Sequence, residues 1–261
     1  MAMTGGSDAP PGVDSLARVL TFVRANLAKT ADEMRAIEPG WVVSTPSLPF
    51  VWAVNHLRVT LPLTFQALVE LADEQLAGSR YLQIGIENQA AGPDLEEKFA
   101  AAGWKTEREV YMVLAAEPDR EADTSVVVDA GEDEMLEVMK RWHGEDELSA
   151  TGLAQLVDYT RRETRACEDR LLGVRSSDGR LVAIGKLRAD GSTAQVEDVY
   201  TVPEARGQGF ARALVSRAAG LARDAGHDLI FISADDNDWP KQLYAQVGFR
   251  PLGRLWQFHH D

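Results

Sequence analysis

The amino-acid sequence predicts an α/β (α+β) fold in which a mixed, mostly antiparallel twisted sheet is flanked by helices, and in which this arrangement occurs twice. Two observations carry the prediction: apolar segments of strand and helix periodicity alternate along the chain, and two stretches share one order of elements. The 261 residues, 45% hydrophobic and 26% charged, provide enough apolar mass for two modest domains.

The first half of the chain is predicted to begin with a disordered tail at residues 1–12, which are rich in Gly, Pro and Ser and lack apolar periodicity. Apolar residues recur at helical intervals across 13–37 and predict one amphipathic helix or a pair. Strands are predicted at 41–43 and 50–59, and a second helix at 63–76.

A polar, proline-containing segment at 117–124 separates two apolar runs, so we place a domain boundary there. This divides the chain into domains at 13–120 and 121–261. The second domain is predicted to contain two helices and then three strands joined by glycine turns as antiparallel hairpins. The helices are predicted at 132–143 and 151–165, and the strands at 171–175, 181–188 and 194–202.

The two halves resemble each other in sequence over residues 71–104 and 221–249. Both stretches read as the end of a helix, an apolar strand, an Asn-containing loop, a helix and then Gly-aromatic. Phe99 in the first stretch occupies the place of Tyr244 in the second. The similarity predicts a duplicated fold whose first copy has diverged.

The composition narrows the class of protein. A net charge of −14 disfavours nucleic acid and anionic membranes as partners and favours cations, including protonated amines. No stretch approaches the roughly 18 uninterrupted apolar residues of a membrane span, and the N-terminus lacks the pattern of a signal peptide. We therefore expect a cytoplasmic protein.

No metal site is expected from the sequence. Cys167 is the only cysteine, which rules out an intramolecular disulfide and a cysteine-rich metal site. We interpret it as a small helix residue. The five histidines show no metal-ligand spacing except His259 and His260, and adjacent residues on a strand face opposite ways.

A glycine-containing turn near position 207 carries the strongest chemical signal. A strand reaches Val202, and a short turn containing Gly207 and Gly209 leads into a helix. The start of a helix offers unpaired backbone N–H groups and the positive end of a dipole, which suit a diphosphate. Arg206 and Arg212 would add positive charge. The turn taken alone also fits a strand-to-helix connection without ligand, whereas Rossmann and Walker loops need other spacings.

The glycine turn and a second segment, from Asn237 to Phe249, resemble the signatures of the GNAT superfamily of N-acetyltransferases. Arg206-x-x-Gly209-x-Ala211 after a strand is similar to the family's acetyl-CoA signature. Asn237, followed by Leu243-Tyr244 and then Gly248-Phe249, is similar to its second signature. The resemblance covers about residues 125–261 and more weakly the first half, and it implies two tandem GNAT-like domains.

The resemblance implies acetyl-CoA as co-substrate and assigns residues to it. The backbone of Val199, Tyr200 and Thr201 would pair with the pantetheine arm where their strand separates from residues 230–234. Asn237 would bind the arm from the other side. The diphosphate would be held by Arg206, Gly207, Gln208, Gly209, Phe210, Ala211 and Arg212.

Transfer of an acetyl group to an amine requires a base and an acid. Tyr244 stands where the family places a phenol beside the cofactor sulfur, and its pKa near ~10 allows it to protonate a thiolate. Glu197 is the preferred base, because on a regular strand it shares a face with Val199 and Thr201 while Asp198 points away. The noncatalytic alternatives are that Tyr244 is a tyrosine packed in the core and that Glu197 is a solvated charge on the strand.

The expected function is transfer of an acetyl group to a primary amine of a small-molecule or peptide acceptor. A catalytically silent acyl-CoA-binding regulator is the alternative, and a longer acyl group or a hydroxyl acceptor also stays open. The first half is expected to bind no acetyl-CoA, because Val59–Phe65 contains no glycine and Phe99 lacks a hydroxyl. The sequence does not indicate the oligomeric state.

Overall fold

The computed structural model of the protein describes residues 13–144 and 148–260, so the tail expected at 1–12 lies outside the described residues. Within them the helices are α1 (Val13–Thr30), α2 (Phe65–Gln75), α3 (Gly92–Ala101), α4 (Glu132–His143), α5 (Ala150–Ala166), α6 (Phe210–Asp224) and α7 (Pro240–Val247). The strands are β1 (Glu33–Ile37), β2 (Gly40–Ser44), β3 (His56–Val59), β4 (Leu82–Ile86), β5 (Lys105–Leu114), β6 (Val127–Asp129), β7 (Arg170–Arg175), β8 (Leu181–Asp190), β9 (Thr193–Thr201), β10 (Leu229–Asp235) and β11 (Phe249–His260).

The described strands form one 11-stranded sheet in the order β1-β2-β3-β4-β11-β5-β10-β9-β8-β7-β6. All neighbours pair antiparallel except β3 with β4 and β9 with β10, which pair parallel. Each parallel pair is joined by a crossover helix, α2 in the first half and α6 in the second. The predicted fold class, a mixed and mostly antiparallel sheet flanked by helices, is confirmed.

The last strand of each half pairs with the other half. Strand β5 lies beside β10, strand β11 lies beside β4, and β5 and β11 pair with each other at the centre of the sheet. The hydrogen-bonded sheet is therefore continuous between the two halves of the chain. The division into domains at 13–120 and 121–261 stays a prediction, and the exchange of strands means that each half completes the sheet of the other.

The two faces of the sheet carry different helices. On the first face, α2 and α3 cover the first half, and α6 and α7 cover the second. On the second face, α1, α4 and α5 pack against the sheet. No helix of the described ranges combines the length and the apolarity needed to cross a bilayer.

Most predicted elements of the second half agree with the structure, and the predicted helix at 132–143 coincides with α4. Two predictions in the first half were wrong. The helix predicted to 37 ends at Thr30, and Glu33–Ile37 forms an edge strand paired along its length with β2. Tertiary pairing here overrides the helical pattern of the sequence.

The strand predicted at 50–59 begins only at His56, because the preceding residues form a turn around Asn55. The Asn55 side-chain amide donates to the carbonyls of Leu48 and Val51, both at 2.9 Å. Its carbonyl accepts from the Thr45 N–H at 2.8 Å. These side-chain bonds replace the ladder bonds that a strand would make.

Candidate active site

The parallel strands β9 and β10 separate where the predicted cofactor segment begins. Their pairing ends at Val196 and Ile232, whereas β9 continues to Thr201 and β10 to Asp235. The backbone of residues 197–201 is therefore open on its β10 side. This is the separation that the resemblance implied, and it leaves a wedge between the two strands.

A β-bulge in β9 changes which way its side chains point. Lys186 of β8 pairs with Glu197 and Ile184 with Tyr200, so β9 has one residue more than β8 in this interval. Asp198 takes a left-handed backbone conformation, φ 52°. As a result, Val199 packs in the same first-face core as Val196.

The predicted arrangement of faces along β9 was therefore wrong. Glu197 lies directly across from Lys186 and accepts from the Gln195 side-chain amide, which places it on the second face. Asp198 was expected to point the other way, yet its carboxylate is 2.7 Å from Lys186 Nζ. The extra residue of the bulge shifts the strict alternation that a regular strand would keep.

A groove of about 550 Å³ lies between β9, the glycine turn and α7. The predicted cofactor residues that line it are Val199, Tyr200, Thr201, Arg206, Gly207, Gly209, Phe210, Ala211 and Arg212. Gln208 and Asn237 do not line it, and the Asn237 side-chain oxygen accepts from Arg108 Nη2 at 3.1 Å. Their contact with a cofactor stays a prediction.

The glycine turn leaves the start of α6 open toward the groove. Gly209 is the N-cap residue and no side chain caps the helix. Gly207 and Gly209 have φ of 80° and 84°, a region that L residues enter only at a cost of about 1–2 kcal/mol. The orphan N–H groups of the first turn are therefore available to an anion.

The positive charge predicted for this groove is only partly available. Arg212 is buried, and its Nη1 lies 2.6 Å from Asp119 Oδ1. Its Nη2 donates to Gln246 Oε1 at 2.6 Å. The guanidinium in turn lowers the pKa of Asp119 through hydrogen bonding. Asp119 thus offsets the charge of Arg212.

Sequence reasoning missed Arg120 and Trp142, which also line the groove. Arg120 lies in the polar segment that was interpreted only as a domain boundary. The structure brings that segment to α7 through a bond from Asp119 N–H to the Gln246 carbonyl at 2.8 Å. Trp142 of α4 stacks on Tyr200, with ring centroids 5.1 Å apart. Neither residue carries a local sequence signal for this contact.

A second cavity of about 420 Å³ occupies the wedge between β9 and β10. It is lined by Glu107, Arg108, Glu109, Trp142, Val196, Glu197, Asp198, Val199, Ile232, Ser233, Ala234, Asp235, Asp238, Pro240, Tyr244 and Gln257. Five of these residues also line the groove, namely Trp142, Val199, Asp238, Pro240 and Tyr244. The two cavities therefore meet at these side chains.

Tyr244 lies at this junction and is mostly buried, with 7% of its surface exposed. Burial, followed by the negative charges of Glu197 and Asp238, raises the pKa of the phenol. The hydroxyl therefore stays protonated at neutral pH and can act as a donor. Phe99, its counterpart in the first half, is fully buried and stacks on Phe258 with centroids 4.1 Å apart.

Glu197 lines this second cavity close to a buried charge network. Burial raises the pKa of its carboxyl well above the ordinary value, and the charges of Asp198, Glu163 and Glu109 act in the same direction. Arg188 opposes them. A carboxylate with a raised pKa is a stronger base than an ordinary glutamate.

The charge network behind Glu197 is built around Lys186, which is completely buried. Lys186 Nζ lies 2.7 Å from Asp198 and 3.3 Å from Glu163. Arg188 forms a bidentate pair with Asp169, with both bonds at 2.8 Å. These pairs fix Asp198 in the bulge and so fix the position of Glu197.

Two further kinds of candidate functional group are a metal-binding cluster and the thiol of Cys167. Among residues 13–144 and 148–260, no three His, Cys, Asp or Glu side chains form a group that could hold a metal ion. Cys167 is buried at the C-terminal end of α5, and burial raises the pKa of its thiol to about 11. That pKa keeps the thiol protonated and unreactive at neutral pH.

A sequence comparison relates part of the chain to a known family. Residues 134–249 match the sequence model of the Acetyltransferase (GNAT) family. The match includes the glycine turn, Glu197 and Tyr244. It supports the GNAT family for the second half of the chain. No curated protein matches the sequence.

Solved structures with this fold cover most of the chain. A functionally unknown conserved protein from Staphylococcus epidermidis is 14% identical with a TM-score of 0.70, covering 88% of this chain and 93% of that one. A GCN5-related N-acetyltransferase from Kribbella flavida is 16% identical with a TM-score of 0.63, covering 96% of each chain. At these identities the likeness establishes the fold.

Proposed function

We propose that the protein transfers an acetyl group from acetyl-CoA, bound in the groove, to a primary amine. The amine binds in the cavity between β9 and β10, which we call the acceptor cavity. The observation that carries the proposal is the meeting of the two cavities at Tyr244. A thioester held in the groove and an amine held in the wedge would come together at this point, with Tyr244 as the acid at the junction and Glu197 as the base in the wall of the wedge.

The residues of the groove fit CoA. The uncapped start of α6 offers N–H groups to a diphosphate. The open edge of β9 at residues 197–201 offers backbone groups to the amides of a pantetheine arm. Arg206 lines the groove, and its Nε donates to the Thr201 carbonyl at 3.0 Å, which holds the side chain beside the turn.

Acetyl-CoA supplies an activated acyl group, and the residues of this chain handle the protons. In the transfer a C–N bond forms and a C–S bond breaks. The acceptor ammonium loses two protons. Glu197 takes one and passes it to solvent, and the second restores the hydroxyl of Tyr244, which has given its own proton to the leaving sulfur. Backbone N–H groups of β9 would polarise the carbonyl.

The first half is proposed to be a degenerate copy that binds no CoA. Its crossover helix α2 corresponds to α6, but the Thr64 side chain caps it by accepting from the Ala67 N–H at 3.3 Å. That donor is therefore already used. Phe99 in place of Tyr244 provides packing without a hydroxyl.

The test is release of thiol from acetyl-CoA with a panel of amines, run beside calorimetry of acetyl-CoA binding. We expect binding together with amine-dependent thiol release. Binding without release for every amine and every acyl-CoA would support the catalytically silent regulator instead. Thiol release only with hydroxyl acceptors, or only with longer acyl-CoA donors, would change the proposed substrates but not the proposed site.

A further inference from the structure

The wall of the acceptor cavity is strongly acidic. Six carboxylate residues line it: Glu107, Glu109, Glu197, Asp198, Asp235 and Asp238. The one cationic lining residue, Arg108, is paired with residues outside the cavity, at 2.8 Å from Asp236 and 3.1 Å from Glu96. Its charge therefore does little to neutralise the wall.

Among these carboxylates, Asp198 pairs with the buried Lys186 at 2.7 Å. Glu107 has a histidine partner, His259, at 3.3 Å. Glu197 accepts from the neutral side-chain amide of Gln195. Burial raises the pKa of Glu109, and hydrogen bonding by Ser233 and the charge of Arg58 oppose that rise. Six carboxylates against one lining guanidinium give the cavity a negative potential, which the charges of Arg58 and Arg188 partly offset at Glu109 and Glu197.

Glu109 and Asp235 are placed directly opposite each other. They are cross-strand partners on β5 and β10, and such partners point to the same face of a sheet. Like charges in this position repel and destabilise the sheet. A cation bound between them would remove the repulsion.

The exchange of strands is what brings Glu109 here. Strand β5 belongs to the first half of the chain but pairs with β10 of the second. On the other side of β10, strand β9 provides Glu197. Two carboxylates from different halves therefore line one cavity, and the first half contributes to acceptor binding without binding a cofactor of its own.

We infer, on the basis of the proposed function, that the acceptor is a di- or oligoamine whose second ammonium is held by Glu109 and Asp235. The reacting amine must lose its charge, and Glu197 takes that proton. A second positive group keeps its charge and needs a lasting counter-ion. The cavity of about 420 Å³ has room for a short aliphatic chain between two nitrogens.

The experiment compares 1,5-diaminopentane with pentylamine, which have the same chain and differ by one amine. Thiol release from acetyl-CoA is measured for the full chain and for Glu109→Gln and Asp235→Asn. We expect the wild type to favour the diamine at least about tenfold in kcat/KM, mainly through KM. Both variants should lose most of this preference, mainly through a raised KM for the diamine.

Glu137→Gln is the matched control, because it removes one carboxylate from an exposed pair with Lys140 without touching the cavity. It should keep the diamine preference. Equal rates for the two amines in the wild type, or equal losses for both amines in Glu109→Gln, would overturn the inference and leave the proposed function intact. Absence of thiol release with every amine would overturn both.

Discussion

Glu109 and Glu197 line the same cavity from opposite sides of strand β10, although they come from different halves of the chain. Their charges interact, since Glu109 is among the groups that raise the pKa of Glu197. The two glutamates lie near each other because β5, from the first half, pairs with β10 of the second. This proximity couples acceptor binding, assigned to Glu109, to proton removal, assigned to Glu197.

The proposed diphosphate site at the uncapped start of α6, which we call the cradle, predicts the effect of Gly209→Glu. The new carboxylate would occupy the start of α6 and repel phosphate, so calorimetry should detect no acetyl-CoA binding. Gly226→Glu is the matched control: Gly226 has a φ of 85° and equally open surroundings, but lies beyond the other end of α6. It should keep full affinity. Unchanged affinity in Gly209→Glu would refute the cradle.

Tyr244→Phe tests the proposed acid. The ring should keep its packing, as Phe99 does in the first half, while turnover falls by roughly 10²- to 10⁴-fold. Calorimetry should give an unchanged Kd for acetyl-CoA. Tyr81→Phe serves as control, because its hydroxyl only accepts from Arg80 at the surface. A Tyr244→Phe variant with full kcat would remove Tyr244 from the mechanism.

The raised pKa of Glu197 predicts the pH dependence of kcat/KM. A protonated carboxyl cannot accept a proton, so the rate should fall as pH decreases through the pKa of Glu197. This limb should lie above the ordinary glutamate value of 4.5. Glu109→Gln removes a negative neighbour, lowers the pKa of Glu197 and should move the limb to lower pH.

Rate profiles for the wild type, Glu109→Gln and Glu137→Gln measure this shift. The last variant should match the wild type, because its lost charge is exposed and distant. A limb that stays in place in Glu109→Gln would mean that Glu197 is not the titrating base.

The buried network predicts a loss of stability in Lys186→Met. Lys186 is fully buried and is the counter-ion of Asp198 and Glu163. Removing it leaves the largely buried Asp198 carboxylate without its partner, while Glu163 keeps Arg188 at 3.0 Å. The expected cost is about 3–5 kcal/mol in the free energy of unfolding. Urea denaturation measures the difference. Lys140→Met, which breaks an exposed pair with Glu137, should change stability by less than about 1 kcal/mol.

The sequence predicted those parts of the molecule that local patterns determine. The amphipathic period of 132–143 specified α4, and the paired glycines at 207 and 209 specified the turn before α6. Tyr244 was found through its motif and lies where the two cavities meet. These features depend on residues that are near one another in the chain.

The parts that the sequence did not predict depend on distant pairing. Nothing local in β5 indicates that it joins the second half, so Glu109 was not recognised as a site residue. The bulge at Asp198 depends on Lys186, twelve positions earlier, and a non-glycine residue gives no warning of a positive φ. The pairing of Arg212 with Asp119 likewise depends on a contact between distant segments.

The most direct test of the central claim is a crystal structure of the protein with bound CoA. We expect diphosphate oxygens within about 3.2 Å of main-chain N–H groups in the first turn of α6, with the sulfur beside the Tyr244 hydroxyl. A diphosphate bound elsewhere on a well-folded chain, or a sulfur remote from Tyr244, would contradict the account.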